Sequence, residues 1–360
     1  MMLALPSTRE EAWRWSDLSA LPALAAAGHE GGPVDADALW IGGDEGARLL
    51  FVDGRLDRDR SRPGPLLTGA VDAASAHPLG RLATGEGWTL ALGRDHAAPG
   101  LIEIVHVATG GASHLPARIA LDEDAQASIV ETFVGDGWAN RLTRISLGKA
   151  ARLMRAVRLR QASGFTSLRD EAELGRGASL VTTMLGAGGA GTRIDAAVTL
   201  ADAGAYAEIG GALLARGEQR HDAAIVVRHA APGGSSRQLW RAVADDSAAA
   251  SLAARVEVAR DAQQTDGEQS LRGLLLKRSA TVNLKPELEI FADDVKCAHG
   301  ATVGELDARA LFYLESRGIP PQRARAMLTR AFVADALDRI GDETVRDAFA
   351  ADANRWLGEA

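Results

Sequence analysis

The chain has 360 residues, room for two or three modules rather than one small core. Hydrophobic residues make up 46% and charged residues 24%, a globular balance, and the net charge of -8 argues against a general nucleic-acid binder, which needs concentrated Lys and Arg. A lone cysteine excludes an intrachain disulfide framework and an all-cysteine zinc site within the chain. The opening MMLALPSTREEAWRW has neither the basic end nor the continuous apolar run of a signal peptide. No stretch approaches the roughly 20 apolar residues of a membrane helix, so a cytoplasmic protein with no membrane contact is expected.

Residues 1–78 read as an N-terminal helical region with loops. Ser7 or Thr8 is placed to cap a helix through EEAWRW, with Glu10 and Glu11 in its first turn. The Gly/Pro-rich DRSRPGPLLTG reads as a loop.

Residues 79–300 differ in kind. LDEDAQA at 121, LGKAARL at 147, LGRGASL at 174 and LADAGAY at 200 each start with Leu and carry a small residue at the fifth place. A related register recurs in LKRSATV at 276, and short β-type runs such as ASIVETFV, ASLVTTML and AAIVVRH lie between. The leucines are 26, 27 and 26 residues apart, a fixed period that marks a solenoid. Short strands separated by small-residue turns favour a parallel β-helix, each coil stacking on its neighbours. The leucine-rich frame is missing and no six-residue rhythm appears, so the fold class expected is mainly β, a right-handed parallel β-helix core. An ordinary β-sandwich is the alternative. The basic residues between Arg141 and Arg160, spaced among Leu, Met and Val, read as a solvated strand face.

Residues 301–360 read as a C-terminal helical domain. Thr302 and Glu305 form a T-x-x-E capping box ahead of a helix that Gly318 stops. Met327, Leu328, Ala331 and Phe332 share a face of a second helix, and Val345, Phe349 and Trp356 mark a third.

GAGGAG at 186–191 satisfies the dinucleotide fingerprint, but β-branched alternation follows where a helix is required, so it reads as a turn between coils. TRISLGKA lacks the first glycine of a phosphate-binding loop and has Ala150 in place of Ser or Thr. Neither a G-x-S-x-G elbow nor an H-E-x-x-H helix occurs. His106 with His114, and His221 with His229, are eight apart, a spacing without ligand geometry, and read as surface or satisfied core residues. The seven tryptophans read as core and junction anchors.

DDVKCAHGAT holds the only cysteine, two residues before His299. On an extended segment Cys297 and His299 point to one face and present thiolate and imidazole to a metal such as iron. Asp293 and Asp294 would add oxygen ligands or fix a histidine tautomer. Two dependable donors are half a site, and a plain turn after a strand remains the alternative.

The run from Arg260, RDAQQTDGEQSLRGLLLKRSATVNLKPELEIFADDVKCAHGATVGELDARALFYLESRGI, strongly resembles the SufB/SufD family of iron–sulfur cluster assembly proteins. VKCAHGATVGELD followed by FYLESRGI is similar to its SufD side; EEAWRWSDL resembles the family's opening segment, and HAAPGGSSRQLW its H-x-A-P-x-x-x-S-x-Q stretch. The family's frequent asparagine-rich stretch is replaced by Leu271-Arg272-Gly273. The resemblance implies a β-helix flanked by helical domains that acts as a non-catalytic scaffold of the SufBCD complex. It implies pairing with SufB through the end of the β-helix and docking of the ATPase SufC by the C-terminal helices. Cys297 and His299 would then lie at the SufB junction, with Asp293, Asp294, Lys296 and Glu305, and share transient iron or a nascent cluster. No tightly bound cofactor is implied, and the isolated chain would self-pair as a homodimer. Phe312, Tyr313 and Arg317 would meet the ATPase, with buried packing the alternative for the two aromatics. The competing functions are a β-helix carbohydrate-active enzyme and a purely structural homodimer without metal.

Overall fold

A computed structural model describes residues 4–31, 35, 37–43 and 45–358. The N-terminal segment holds a one-turn 3-10 helix at Glu11–Trp13 and a short helix α1 (Leu21–Ala26). The helix expected through EEAWRW is therefore only that single turn, and neither Ser7 nor Thr8 caps it: Ser7 instead donates its backbone N–H to Glu10. Strands β1 (Arg48–Val52), β2 (Arg55–Arg62) and β3 (Leu66–Ala70) follow inside the stretch read as helix and loop. The loop expected at DRSRPGPLLTG shrinks to a turn joining β2 and β3.

The solenoid then runs through β4 (Glu86–Leu92), β5 (Ile102–Leu121), β6 (Gln126–Leu147), β7 (Arg152–Leu159), β8 (Phe165–Leu174) and β9 (Ser179–Gly186). It continues through β10 (Gly191–Leu200), β11 (Tyr206–Ala215), β12 (Arg220–His229), β13 (Ser235–Ala244) and β14 (Ala249–Val258). β15 (Thr265–Leu275), β16 (Thr281–Ile290) and β17 (Val295–Glu305) complete it. GAGGAG is the turn from β9 into β10, as its lack of a following helix predicts.

Parallel pairing sorts the strands into two faces of a right-handed β-helix. One face stacks β4, the second half of β5, the second half of β6, β8, β10, β12, β14 and β16. The other stacks β1, the first halves of β5 and β6, then β7, β9, β11, β13, β15 and β17. β5 and β6 cross from face to face without breaking because glycines take the corner. Gly135 has φ +88°, and a Cβ there would lie 2.0 Å from the Ala108 carbonyl oxygen.

The repeat leucines are one interior column. Leu92, Leu121, Leu147, Leu174 and Leu200 are each in register with the next, all at strand ends. The column continues as His229, Val258 and Ile290. The period lengthens along the way: Phe165 pairs with Gly191, but Gly191 pairs with Arg220 and Ala249 with Thr281. LKRSATV at 276 therefore falls out of this column and follows β15 on the opposite face.

Both outer faces are covered, which explains strands apolar on both sides. The N-terminal segment packs Trp13, Leu18 and Leu21 with Leu79, Trp138 and Phe165. Helices α2 (Ala308–Ser316), α3 (Pro321–Leu337) and α4 (Glu343–Trp356) follow the last strand. α3 and α4 lay Val333, Leu337, Val345, Phe349 and Trp356 on Val130, Ala156, Leu185, Leu214 and Val243. The face of α3 that is buried is thus Ala326, Thr329, Val333 and Leu337, offset from the expected Met327, Leu328, Ala331 and Phe332, of which Ala331 is exposed. Asp352 of α4 is buried and receives Arg158 at 2.7 Å and Arg160 at 3.0 Å, and Asp335 of α3 receives Arg241. The expected capping box is also corrected: Thr302 and Glu305 lie on β17, and Asp307 caps α2 by accepting from the Arg309 N–H.

The basic stretch from Arg141 is a solvated face only in part: Arg144, Lys149 and Arg152 are exposed, but Arg141, Arg155 and Arg158 are buried. Arg141 and Arg155 are 1% exposed and lie inside the solenoid with Glu131 and Asp170. Glu131 receives both guanidinium groups at 2.9 Å, and Arg155 also reaches Asp170 at 2.6 Å. The two cations and two carboxylates neutralise each other, and both arginines hold Glu131 ionised, well below the usual carboxylate range. His106 stacks between Phe51 and Phe133 beside this cluster, and burial favours its neutral form.

Arg155→Met leaves Glu131 and Asp170 short of charge inside the solenoid, and a loss of about 3–5 kcal/mol in urea unfolding is expected. His221 and His229 are fully buried, and desolvation lowers both to about 4. An unfolded histidine takes its proton near 6.5, so their contribution to stability is present above that pH and is lost as the pH falls towards 4. His229→Leu with Ser236→Ala, which also removes the hydroxyl that bonds the ring, should remove the His229 share of this acid loss and leave that of His221, read as unfolding free energy against pH.

Candidate functional site

The two ends of the solenoid differ. At the start, β2 pairs antiparallel with β1 and β3 with β4, so the first strand of each face has a cover. β2 itself reads RLDRDRSR, a charged strand of the kind that resists further pairing. At the far end, β16 pairs with β14 and β17 with β15, and no described strand pairs with their outer edges. Thr281 and Phe291 donate their N–H groups to β14, so the even residues of β16, Pro286 among them, face the free edge. Pro286 has no N–H to offer there, whereas β17 carries no proline and reads VKCAHGATVGE. β17 is the better template for an added strand.

Cys297 and His299 lie on β17 in register with Gly267 and Gln269, both buried and facing the solenoid interior. The side chains therefore share the inward face, as their spacing predicts, and meet solvent because no further coil lies above them. Gly267 leaves the room that the Cys297 sulfur occupies: a Cβ on it would sit 3.4 Å from Sγ. Val256, Leu288 and Val295 surround the thiol, and this burial raises its pKa, with a smaller contribution from Asp266. His299 is exposed, above Gln269.

Gln269 is a residue that motif reading missed. It is 1% exposed, yet neither its amide nitrogen nor its amide oxygen has a partner. Gln238, in register one coil below, donates to the Arg255 carbonyl at 3.0 Å and leaves its own oxygen unpaired. A column Gln238–Gln269–His299 thus runs to the open end. Its signal in the sequence is a glutamine one coil before the histidine and another a coil earlier, visible only once coil lengths are known.

The other expected site residues are scattered around this pair. Asp293 and Asp294 are exposed on the bend before β17, where the Asp294 N–H donates to Gln263. The described residues contain no group of three or more His, Cys, Asp or Glu placed to hold a metal, so the oxygen ligands expected from the two aspartates are not assembled with Cys297 and His299. Lys296 points outward beside Asp266, and Glu305 pairs with Arg278 at 3.2 Å. α2 has no buried residue; Phe312 is 72% and Tyr313 58% exposed, which excludes buried packing within this chain, and Arg317 lies 5.3 Å over the Tyr313 ring. Ile290, Phe291 and Val303 add exposed apolar surface to the open end.

The family model described as SUF system FeS cluster assembly, SufBD core domain, matches residues 105–332. The chain belongs to the SufB/SufD family. Among curated relatives it is similar to the iron–sulfur cluster assembly protein SufD of Escherichia coli, 27% identical across 95% of this chain and 87% of the relative. An iron–sulfur cluster assembly SufBD family protein of Mycobacterium tuberculosis is 28% identical across 96% and 88%. A chloroplastic protein of Arabidopsis thaliana, ABCI7, is 34% identical across 64% of this chain and 50% of its own length. Membership is SufD-like and carries a scaffold role in cluster assembly rather than catalysis, which sets aside the carbohydrate-active alternative. No described helix is long and apolar enough to cross a membrane.

Because burial raises the Cys297 pKa, little thiolate is present at neutral pH. Its alkylation by iodoacetamide at pH 7 should be severalfold slower than that of glutathione, and His299→Ala should leave that rate unchanged.

Proposed function

We propose that this chain is the SufD-type scaffold subunit of a SufB–SufC–SufD complex. The open end of the solenoid pairs with SufB, with Asp293, Asp294, Lys296 and Glu305 around the junction. His299 and Cys297 contribute to holding iron or a nascent cluster shared with that subunit. The C-terminal domain expected at 301–360, whose helices begin at Ala308, docks the ATPase SufC; the β-helix core expected at 79–300 runs on to Glu305 and takes in β1 from the N-terminal region 1–78.

The observation that carries this reading is two inward-facing donors on the last strand of a solenoid whose edge has no cover. A thiol and an imidazole suit iron, and two donors without a third call for ligands from a second molecule. The unpaired peptide groups of β17 supply main-chain hydrogen bonds for such a partner, and Ile290, Phe291 and Val303 supply apolar area beside them. The thiol is protonated in the isolated chain, so ligation by Cys297 requires metal or partner to displace its proton. The exposed Phe312 and Tyr313 with Arg317 have the composition of an interface anchor and supply the ATPase-facing surface of α2. The same edge gives the isolated chain a route to a homodimer, and the cytoplasm is the compartment consistent with a free thiol.

Co-expression with SufB and SufC should yield a complex containing all three chains. His299→Ala should leave its composition intact and sharply reduce cluster formation during anaerobic reconstitution, followed by visible absorption. Unchanged cluster formation would remove the ligand role, and failure to co-purify would remove the scaffold assignment. Phe312→Ala with Tyr313→Ala should weaken the ATPase contact by about 2 kcal/mol or more while sparing the SufB contact.

A further inference from the structure

Away from the open end, a cleft of about 460 Å³ lies between the N-terminal segment and the outer surface of the face that ends in β16. That volume is within the range of small-molecule sites. Its floor is a consequence of register. One outward column reads Arg169, Asp195, Ala224, Ala253 and Lys285 through β8, β10, β12, β14 and β16. Long charged side chains stand at both ends, and two alanines in the middle leave a hollow with an apolar base, which Val226 extends on the next column.

The roof is pinned rather than loosely laid. Arg193 is almost fully buried, donates to the Ala12 carbonyl at 3.1 Å and lies 4.4 Å over the Trp13 ring. Ser16 donates to Asp222, and Lys285 crosses the mouth to Glu11 at 2.6 Å. The cleft is thus held open at both sides by side chains that are already committed.

The charges around it select a ligand. Arg193 is matched by Asp195 and Asp222, Lys285 by Glu11 and Glu287, Arg255 by Glu257 and Glu287, and Arg169 by Glu171. Among the described residues, the Arg14 guanidinium alone of the lining Arg and Lys side chains makes no side-chain hydrogen bond or ion pair; its backbone N–H donates to the Glu11 carbonyl, and its charge helps lower the pKa of the Glu11 carboxylate. Trp13 has Arg193 and His77 against its ring, whereas the half-buried Trp15 has no described ring or cation contact. We propose that this cleft binds a small aromatic monoanion, its flat apolar body over Ala224, Ala253 and Val226 and its single negative charge on Arg14. The other lining cations are already paired with carboxylates, so a second negative charge would find no free partner. Because Lys285 and Glu287 belong to β16, such a ligand would bridge the N-terminal segment and the last coil.

A matched pair of fluorescent probes tests this on the full chain: 8-anilinonaphthalene-1-sulfonate and its neutral parent N-phenyl-1-naphthylamine. The sulfonate should bind with one-to-one stoichiometry and about tenfold more tightly than the neutral probe, as expected for one charge-assisted contact. Arg14→Ala, at an exposed position, should abolish that preference while the neutral probe binds as before. Ala224→Trp, checked for folding by circular dichroism, should fill the hollow and weaken both probes by tenfold or more. Equal binding of the two probes would overturn the proposal. So would sulfonate binding that survives Ala224→Trp and disappears with Phe291→Ser at the open end.

Discussion

A parallel β-solenoid satisfies each strand by stacking it on the coil before, and this rule has no solution for the last coil. Every interior strand here has a neighbour on each side, and the first strands are closed by the antiparallel β2 and β3. Among the described strands, β16 and β17 have a neighbour on one side only. The exposed inward face of β17 places Cys297 and His299 at a boundary between interior and solvent, beside an edge on which a further strand could pair. Pro286 directs the asymmetry further, since it weakens β16 as a template and leaves β17 open.

The remaining architecture keeps that end fixed. The outer faces are sheathed by the N-terminal segment on one side and α3 and α4 on the other, the first held by Arg193 on the Ala12 carbonyl and Ser16 on Asp222, the second by the buried ion pair of Arg158 with Asp352. Inside, Arg141, Arg155, Glu131 and Asp170 link the two sheets across the core. A buried four-charge cluster is a demanding way to fill an interior, because each charge depends on the others for its solvation. It ties the two faces in one relative position in the early coils, while the later coils carry Gln238, Gln269, His221 and His229 with few partners. The solenoid is therefore cross-linked by buried charge near its closed end and carries neutral polar side chains near its open one.

Much of this was legible in the sequence because stacking turns register into periodicity. Leu121, Leu147, Leu174 and Leu200 disclosed the coil length because side chains in one column meet the same environment at every turn. The signal failed where the column changed chemistry: His229 occupies the next leucine position, and longer coils shift LKRSATV onto the opposite face. Arg141 and Arg155 were read as solvated because a lone sequence shows a basic residue but not the carboxylates on the opposite face that neutralise it. Thr302 and Glu305 matched a capping box by spacing, yet β17 continues through both because its pairing with β15 extends to Glu305. The Cys297–His299 pair was readable from i, i+2 spacing alone. Gln269 beneath it was not, since only the pairing of β15 with β17 brings it there.

The proposed junction requires β17 to be an edge that takes up a strand or surface from SufB. Amide hydrogen exchange across residues 295–305 tests it most directly, measured on the chain diluted below self-association and again with SufB added. Fast exchange is expected at alternate amides of β17 alone and strong protection of those same amides in the complex, with β2 unchanged. Unaltered exchange in β17 on formation of a stable complex, or protection appearing at β2 instead, would contradict it.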